Sequence, residues 1–282
     1  MVERRAFTSR LFKWHATARR PLLIREADDP WQVLVAEVMS QQTGIERVGP
    51  AWRRFVDNWP TPRALAVAGT HELLGAWAGL GYNRRALTLR QAARTIVVDH
   101  DGRVPSTVAA LESLPGIGPY TARAVAAAAF GRPVAPLDVN VRRVVSRVLG
   151  LSPSSATLQA DADALVSRAQ PGRWLDAVMD LASATCTPRA PHCEACPLAV
   201  LCASRGVVVV LEPRTRALPF PVTTRWLRGR IVAAVTEAPT GAWVPLPERL
   251  GVHDADAIGA AARGLEREGF LDLRAGEARV RQ

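Results

Sequence analysis

Leu114-Pro115-Gly116-Ile117-Gly118-Pro119-Tyr120-Thr121-Ala122 decides how the chain folds. Two glycines flank one apolar residue in a tight turn, and the alanine-rich run behind them has the composition of a helix. Glycines let a backbone approach a phosphate closely, and the free amides at the next helix N-terminus meet it with partial positive charge. Such a hairpin grips DNA without reading sequence, although the same pattern also makes an ordinary helix-to-helix turn. Outward from it, apolar residues between Trp31 and Leu149 recur mostly at helical spacing, as in Trp31, Leu34, Val35, Val38 and again in Leu73, Leu74, Trp77. Breaks fall at Trp59-Pro60-Thr61-Pro62, Gly79-Leu80-Gly81, Asp101-Gly102, the hairpin itself and Arg132-Pro133. A mainly α body of short helices joined by tight turns follows.

The chain has 282 residues, which at roughly 150 per domain gives about two domains. No period of 20 to 50 residues repeats, which excludes solenoids and propellers. Apolar stretches such as Ala124 to Phe130 fall far short of the roughly 20 residues a spanning helix needs, and Met1 to Arg10 lacks a signal-peptide core. The expectation is a cytoplasmic, nucleoid-associated protein away from membranes. With 36 basic against 26 acidic residues the net charge is +10, which favours a polyanionic partner. The excess of arginine also fits a biased genome composition equally well. Lys13 is the sole lysine, so Schiff-base chemistry would have to use it or the amino terminus.

All four cysteines fall in one segment, Cys186-x6-Cys193-x2-Cys196-x5-Cys202. One loop can therefore wrap a soft metal centre with four thiolates, an iron-sulfur cluster or a zinc ion, while disulfides would need an oxidising compartment. Beyond it, Val207 to Leu211 and then Pro213, Pro219 and Pro221 read as an extended linker. Next come a helix from Arg225 to about Glu237, Val244-Pro245-Leu246-Pro247, a helix from Asp256 to Glu268 stopped by Gly269, and a hairpin over Phe270–Leu273 and Ala278–Val280. That order suggests a winged-helix module, or else a packing appendage. The expected domains are residues 1–204, a linker over 205–224 and the module over 225–282.

Two further segments carry ionisable groups in unusual places. Glu37 sits within the apolar helical run Val35-Ala36-Glu37-Val38-Met39, followed by Ser40-Gln41-Gln42-Thr43; a buried carboxylate is expensive and points to function or to a partner arginine. Leu137-Asp138-Val139-Asn140-Val141-Arg142-Arg143 puts Asp138 just before a periodic helix, where an aspartate by itself reads as an N-cap.

Taken in order, Ser40-Gln41-Gln42-Thr43, Gly79-Leu80-Gly81-Tyr82, the Leu114 to Gly118 hairpin, the Leu137 to Arg143 segment and the cysteine loop ending Cys196-Pro197-Leu198 resemble the helix-hairpin-helix DNA glycosylases that carry an iron-sulfur loop, the superfamily of endonuclease III and the MutY adenine glycosylases. The resemblance spans about residues 10 to 204. It implies a two-lobed helix-hairpin-helix fold of the glycosylase domain. A 4Fe-4S cluster on Cys186, Cys193, Cys196 and Cys202 follows from it too. The implied partner is double-stranded DNA with a mispaired or damaged base, bound by a monomer. By the same resemblance Glu37 is the general acid, Asp138 the stabiliser or transient nucleophile of an oxocarbenium ion, and Tyr120 and Asn140 assist. Gln41, Gln42, Tyr82, Gly116, Gly118 and Arg142 are the implied DNA contacts, with Gln42 and Tyr82 wedging into the duplex as a nucleotide is extruded. Strand-cutting members carry a lysine where this chain has Tyr120, so the likeness is to the monofunctional branch, without lyase activity.

The base pocket departs from the family pattern. An Arg-x-Leu-Pro-Trp-Arg segment there becomes Arg20-Pro21-Leu22-Leu23-Ile24-Arg25, which removes an aromatic face but leaves Arg20, Leu22 and Arg25 as pocket candidates. Asp176 stands where an amide or acid partner is common and is either a base-edge acceptor or a surface acid. MutY enzymes typically add a nudix-like domain, whereas this chain ends in the small module. The expected reaction is removal of adenine opposite 8-oxoguanine or guanine. Removal of thymine or uracil from mismatches is the alternative within the superfamily, and a non-catalytic iron-sulfur DNA-binding regulator is the alternative outside it.

Overall fold

Thirteen α-helices and five short strands form among the described residues of the computed structural model, which are 2–27, 29–207 and 218–282. Contacts gather them into two compact units, and the chain crosses from the first to the second inside one helix, after Val38. The first unit holds α1 (Arg4–Ala18) and most of α2 (Pro30–Ser40). The second takes α3 (Ile45–Asn58), α4 (Pro62–Ala66), α5 (Thr70–Ala76) and α6 (Arg84–Asp99). From Val104 the chain is back in the first unit with α7 (Val108–Glu112), α8 (Pro119–Phe130), α9 (Val139–Leu149), α10 (Leu158–Leu165), α11 (Pro171–Ala184) and the cysteine loop. The expected linker falls largely on residues 208–217, outside the described residues.

The first unit is built on α9. Asp138 caps it by accepting from the amides of Asn140 and Val141 at 2.8 and 2.7 Å. Val141, Val144, Val145 and Val148 then recur at helical spacing and are buried against Phe7 and Leu11 of α1 and Trp174, Val178 and Leu181 of α11. Valine is a poor helix former, so this helix owes its stability to burial of about 1.5–3 kcal/mol per large side chain rather than to propensity. The hairpin between α7 and α8 turns where Gly116 takes φ +76°, a left-handed conformation that costs glycine nothing, and the Ile117 amide closes it onto the Leu114 carbonyl at 3.1 Å. Gly118 and Pro119 then start α8. The alanines of α8 keep its surface low enough for α11 to approach. A Cβ on Gly172 would lie 3.1 Å from the Ala128 Cα, so the start of α11 is seated directly on α8.

In the second unit Phe55, Trp59 and Trp77 pack tilted and edge to face in a buried aromatic cluster, with ring centroids 4.7 and 5.7 Å from Phe55. The C-terminal elements belong to this unit: α12 (Thr224–Glu237), β1 (Val244–Pro245), β2 (Arg249–Leu250), β3 (His253–Asp254), α13 (Ala255–Arg267), β4 (Leu271–Arg274) and β5 (Glu277–Val280). The first, fifth and fourth strands form one antiparallel sheet in that order, with Leu271 opposite Val280 and Val244 opposite Ala278. Ala275 and Gly276, at φ +32° and +83°, make the tight turn whose twist suits a hairpin. The module rests on α5, where His71 Nε2 donates to the Ala238 carbonyl at 2.9 Å.

Candidate active site

Glu37 lies on α2 among buried Leu34, Val35, Val38 and Met39, and the helix carries it into the interior of the first unit. Burial pushes its pKa from 4.5 to about 7, and the nearby carboxylates of Asp176 and Asp138 push the same way. The group therefore holds a proton near neutrality and is still able to give it up. Tyr120, in the first turn of α8, is raised well above the usual phenol value by burial and by the charges of Glu37 and Asp138. It stays a neutral hydroxyl at any working pH. No hydrogen bond joins it to Glu37 among the described residues.

Asp138 is both the cap of α9 and the third member of this group. Its Oδ1 takes the two backbone amides, and its Oδ2 accepts from the Asn140 side chain at 2.8 Å. Three donors fix the orientation of this carboxyl at the helix N-terminus. Three distant stretches of sequence thus bring two carboxyl groups and a neutral phenol within electrostatic reach of one another.

A cavity of about 530 Å³ opens beside Glu37, lined also by Asp176, Arg25, Arg19, Ile24 and Leu175. That volume is typical of a site for a small molecule or a single base. Arg25 organises its polar wall: Nε meets Asp176 Oδ1 at 3.0 Å, and the two terminal nitrogens bind Asp180 at 2.9 and 3.0 Å. Two carboxylates facing one space cannot both be charged cheaply. Burial raises Asp176 as well, with Arg25 and Arg19 pulling it back, and its charge adds to the upward push on Glu37. Burial would raise Asp180, but the hydrogen bonds from Arg25 and Arg20 overcome it and hold the group at about 2. His15 Nε2 also contacts this carboxylate, at 3.0 Å. Arg20 is not part of the cavity wall; its Nε binds Asp180 at 2.6 Å from behind. Leu22, partly buried, starts the short 3-10 turn that delivers Arg25 and does not line the cavity either.

Asp180 and His15 were not singled out by their sequence context. The signal was present in the i, i+4 spacing of Asp176 and Asp180 on a helix whose other residues between Trp174 and Ala182 are apolar, the same argument that identifies Glu37.

The remaining sequence candidates occupy turns and helix starts. A Cβ at Gly118 would meet nothing within 4 Å, so the hairpin presents an open backbone face. Arg142 donates to the Pro153 carbonyl at 2.6 Å. In the second unit Gln42 and Tyr82 have φ of +55° and +48°, two of the four non-glycine residues in the left-handed region among those described. Such strain in side-chain-bearing residues marks positions held for a purpose. Arg85, which the sequence did not single out, holds both turns. Its guanidinium donates to the carbonyls of Met39, Gln41, Leu80 and Gly81 and to Thr43 Oγ1, at 2.6 to 3.2 Å. Gln41 thus contributes its carbonyl to this brace.

Cys186, Cys193, Cys196 and Cys202 all line one cavity of the first unit. Burial raises the Cys196 thiol to about 11, and the other three thiols add to the shift. Four thiols gathered around one cavity suit a positively charged soft centre that takes them all as thiolates. Arg147 supplies partial compensation, donating to Cys186 Sγ at 3.5 Å and to the Thr187 and Pro188 carbonyls. Arg143 braces the loop base through the Cys186 and Ala182 carbonyls. No group of three or more histidine, cysteine or acidic side chains among the described residues is already drawn into a single-ion site. No helix among them is long and apolar enough to cross a membrane.

Residues 35–167 match the HhH-GPD superfamily base excision DNA repair protein family. The chain is 40% identical over 237 residues to an adenine DNA glycosylase of Mycobacterium tuberculosis, covering 81% of this chain and 78% of that one. It is 38% identical over 220 residues to the human adenine DNA glycosylase, covering 73% of this chain and 40% of the human protein. Among solved structures, a thermostable thymine-DNA glycosylase superposes with a TM-score of 0.66 at 30% identity, over 72% of this chain and 96% of that one.

Proposed function

Since this chain belongs to the HhH-GPD superfamily of base excision DNA repair proteins and is a DNA glycosylase, we propose that it removes adenine paired with 8-oxoguanine or guanine in double-stranded DNA. The observation that carries this reading is Glu37 with its pKa raised to about 7 beside a cavity, with the capping carboxyl of Asp138 nearby. An extruded adenine has unprotonated ring nitrogens, so a proton from Glu37 converts it into a neutral leaving group as the bond from C1′ to the base breaks. The electron pair of that bond goes to the base, and the positive charge left on the sugar faces the Asp138 carboxylate. Water adds at C1′ and its proton passes to a carboxylate. Tyr120 remains a hydrogen-bond donor, and Asn140 keeps Asp138 oriented.

Asp176 favours adenine over thymine. A carboxylate held by Arg25 accepts from an exocyclic amine, while the carbonyl oxygens of thymine would be repelled by it, and thymine has no free ring lone pair for the Glu37 proton. The relatives named adenine DNA glycosylase point the same way, whereas the thymine-DNA glycosylase structure keeps the mismatch reading as the second possibility. With Tyr120 at the position where strand-cutting members carry a lysine, and Lys13 the sole lysine, the enzyme acts without lyase chemistry. Single-turnover base release from duplexes with A opposite 8-oxoguanine, A opposite G, T opposite G and U opposite G is the test. Release from the adenine duplexes supports the reading, and release confined to the pyrimidine mismatches overturns it.

The four cysteines would hold a 4Fe-4S cluster, which when bound ties the loop after α11 into a rigid unit. Arg143 and Arg147 position that loop through its carbonyls. An absorption band near the visible–ultraviolet edge together with an iron content of about four per chain would support the cluster; bound zinc in its place would overturn it. The C-terminal elements act as a winged-helix-like module, and the protein works in the cytoplasm on nucleoid DNA.

A further inference from the structure

Arg123 and Asp163 form a bridge inside the first unit that the proposed chemistry does not touch. Arg123 stands on α8, three residues after Tyr120, and its Nη2 donates to Asp163 Oδ2 of α10 at 2.7 Å. The other carboxyl oxygen, Oδ1, accepts from the Ala135 amide at 2.6 Å and from Gln159 Nε2 at 3.1 Å. Gln159 also donates to the Ala135 carbonyl at 3.0 Å. Gln159 and Asp163 are four residues apart on α10, so one helix face grips both backbone polar groups of a fully buried residue. Ala135 lies in the loop from α8 to α9, three residues before Asp138. Neither Arg123, Gln159 nor Asp163 lines the cavity beside Glu37.

An ion pair of this kind has a plain use, which is to hold α8 against α10. Stability alone accounts for it poorly, since the two side chains are 16% and 31% exposed and a partly exposed pair contributes little. The second carboxyl oxygen separates the two uses, because it is committed to the backbone of the loop and not to another helix. Pro136 offers no amide, so the clamp falls on Ala135, whose amide and carbonyl are both held. Three residues span at most about 11 Å, and a shift of Ala135 therefore passes to Asp138 with little slack. Tyr120 rides on the helix at the other end of the bridge. We propose that Asp163, held by Arg123 and supported by Gln159, is a positioning residue that keeps the Asp138 carboxyl in place against Tyr120 and Glu37 for base release. The proposal rests on the reading of Asp138 as the group that faces the sugar.

The test compares the full-length wild type with Asp163→Asn, Asp163→Ala, Arg123→Ala and Arg123→Lys. Asparagine keeps an oxygen for Ala135 but turns an amide toward Arg123, which breaks one side of the bridge, and alanine breaks both. Single-turnover release is measured on a duplex with adenine opposite 8-oxoguanine, beside equilibrium binding to that duplex with a non-cleavable adenosine analogue and a thermal melt. The rate constant is expected to fall about 10- to 100-fold with Asp163→Ala and less with Asp163→Asn, while binding is unchanged. Arg123→Ala should lose rate as well, and Arg123→Lys, which keeps one charged donor, should restore most of it. A lower melting temperature and a smaller reacting fraction with an unaltered rate constant would mark a role confined to stability and overturn the proposal. In the Asp138→Asn background Asp163→Asn should cost no further rate, and fully additive losses would overturn it too. Titration of the Glu37 carboxyl by carbon NMR reads the same geometry without any reaction. Asp176 and Asp138 both push Glu37 upward, and the second of them sits at the end of the clamped loop. Asp163→Ala should therefore move the Glu37 midpoint downward, and an unmoved midpoint would overturn the proposal. A wild type that releases no base from adenine duplexes would defeat the excision reading, while the titration still decides this one.

Discussion

Glu37→Gln should make the protein more stable and less active at the same time. Glutamine keeps the shape of the side chain and removes its ionisation. The carboxyl ionises at 4.5 when unperturbed and at about 7 in the folded chain. Because the folded-state value is the higher one, the folded chain binds this proton more tightly than the unfolded chain does. The penalty is therefore absent below about pH 4.5, grows as pH rises, and is complete above about 7. At about 1.4 kcal/mol per pH unit the full penalty is ~3 kcal/mol, and at pH 5 it is below ~1 kcal/mol. Urea titrations followed by tryptophan fluorescence at pH 5 and pH 8 should show the variant gaining on the wild type by ~2 kcal/mol between the two conditions. Base release by the variant should meanwhile fall about 10²- to 10⁴-fold, the usual worth of a general acid. A stability difference that is the same at both pH values would refute the argument that burial and neighbouring carboxylates hold this proton.

Asp138→Asn should keep α9 capped, since asparagine caps as well as aspartate, yet slow base release by about 10²–10³-fold through loss of the charge facing the sugar; an unchanged single-turnover rate would remove Asp138 from the chemistry. Asp180→Asn leaves Arg25, Arg20 and His15 around a neutral group and should cost about 3–5 kcal/mol in denaturant titrations at pH 7. The ordinary Asp180 contribution is present above about pH 3.8 and is lost as pH falls through about 2, so the wild type and this variant should converge in strong acid. Arg85→Ala removes one donor from each of five acceptors, of which the Gln41, Leu80 and Gly81 carbonyls keep another, and should destabilise by about 1–3 kcal/mol. With Gln42 and Tyr82 no longer braced, 2-aminopurine fluorescence should report weaker base extrusion, and an unaltered signal would contradict the bracing role.

The helical body was readable because its apolar positions follow one helical period and its ends carry glycine and proline, as at Gly116, Gly131 and Pro62. Glu37 and Asp138 were legible for different reasons, the first as an acid in an apolar run and the second through the motif around it. The structure makes Asp138 the helix cap, and the capping geometry is the one from which its proposed role in base release is argued. Arg85 and Asp180 were hidden because their partners include residues 42 to 165 positions away, Thr43 for Arg85 and His15 for Asp180, which no local pattern encodes. The grouping of the C-terminal module with residues 39–103 was equally out of reach, since a helix that returns to a distant segment leaves no periodic trace. Arg20 shows the limit of motif transfer: it belongs to the pocket's support rather than to its lining, because Asp180 captures it first.

The most direct measurement is the pH dependence of single-turnover base release from a duplex with adenine opposite 8-oxoguanine, between pH 5.5 and 9. With Glu37 as proton donor, the rate falls about tenfold per pH unit above a midpoint near 7, and Asp176→Asn moves that midpoint downward by removing a neighbouring negative charge. A rate that stays level across the range, or that rises with pH, contradicts the assignment of Glu37 as the acid.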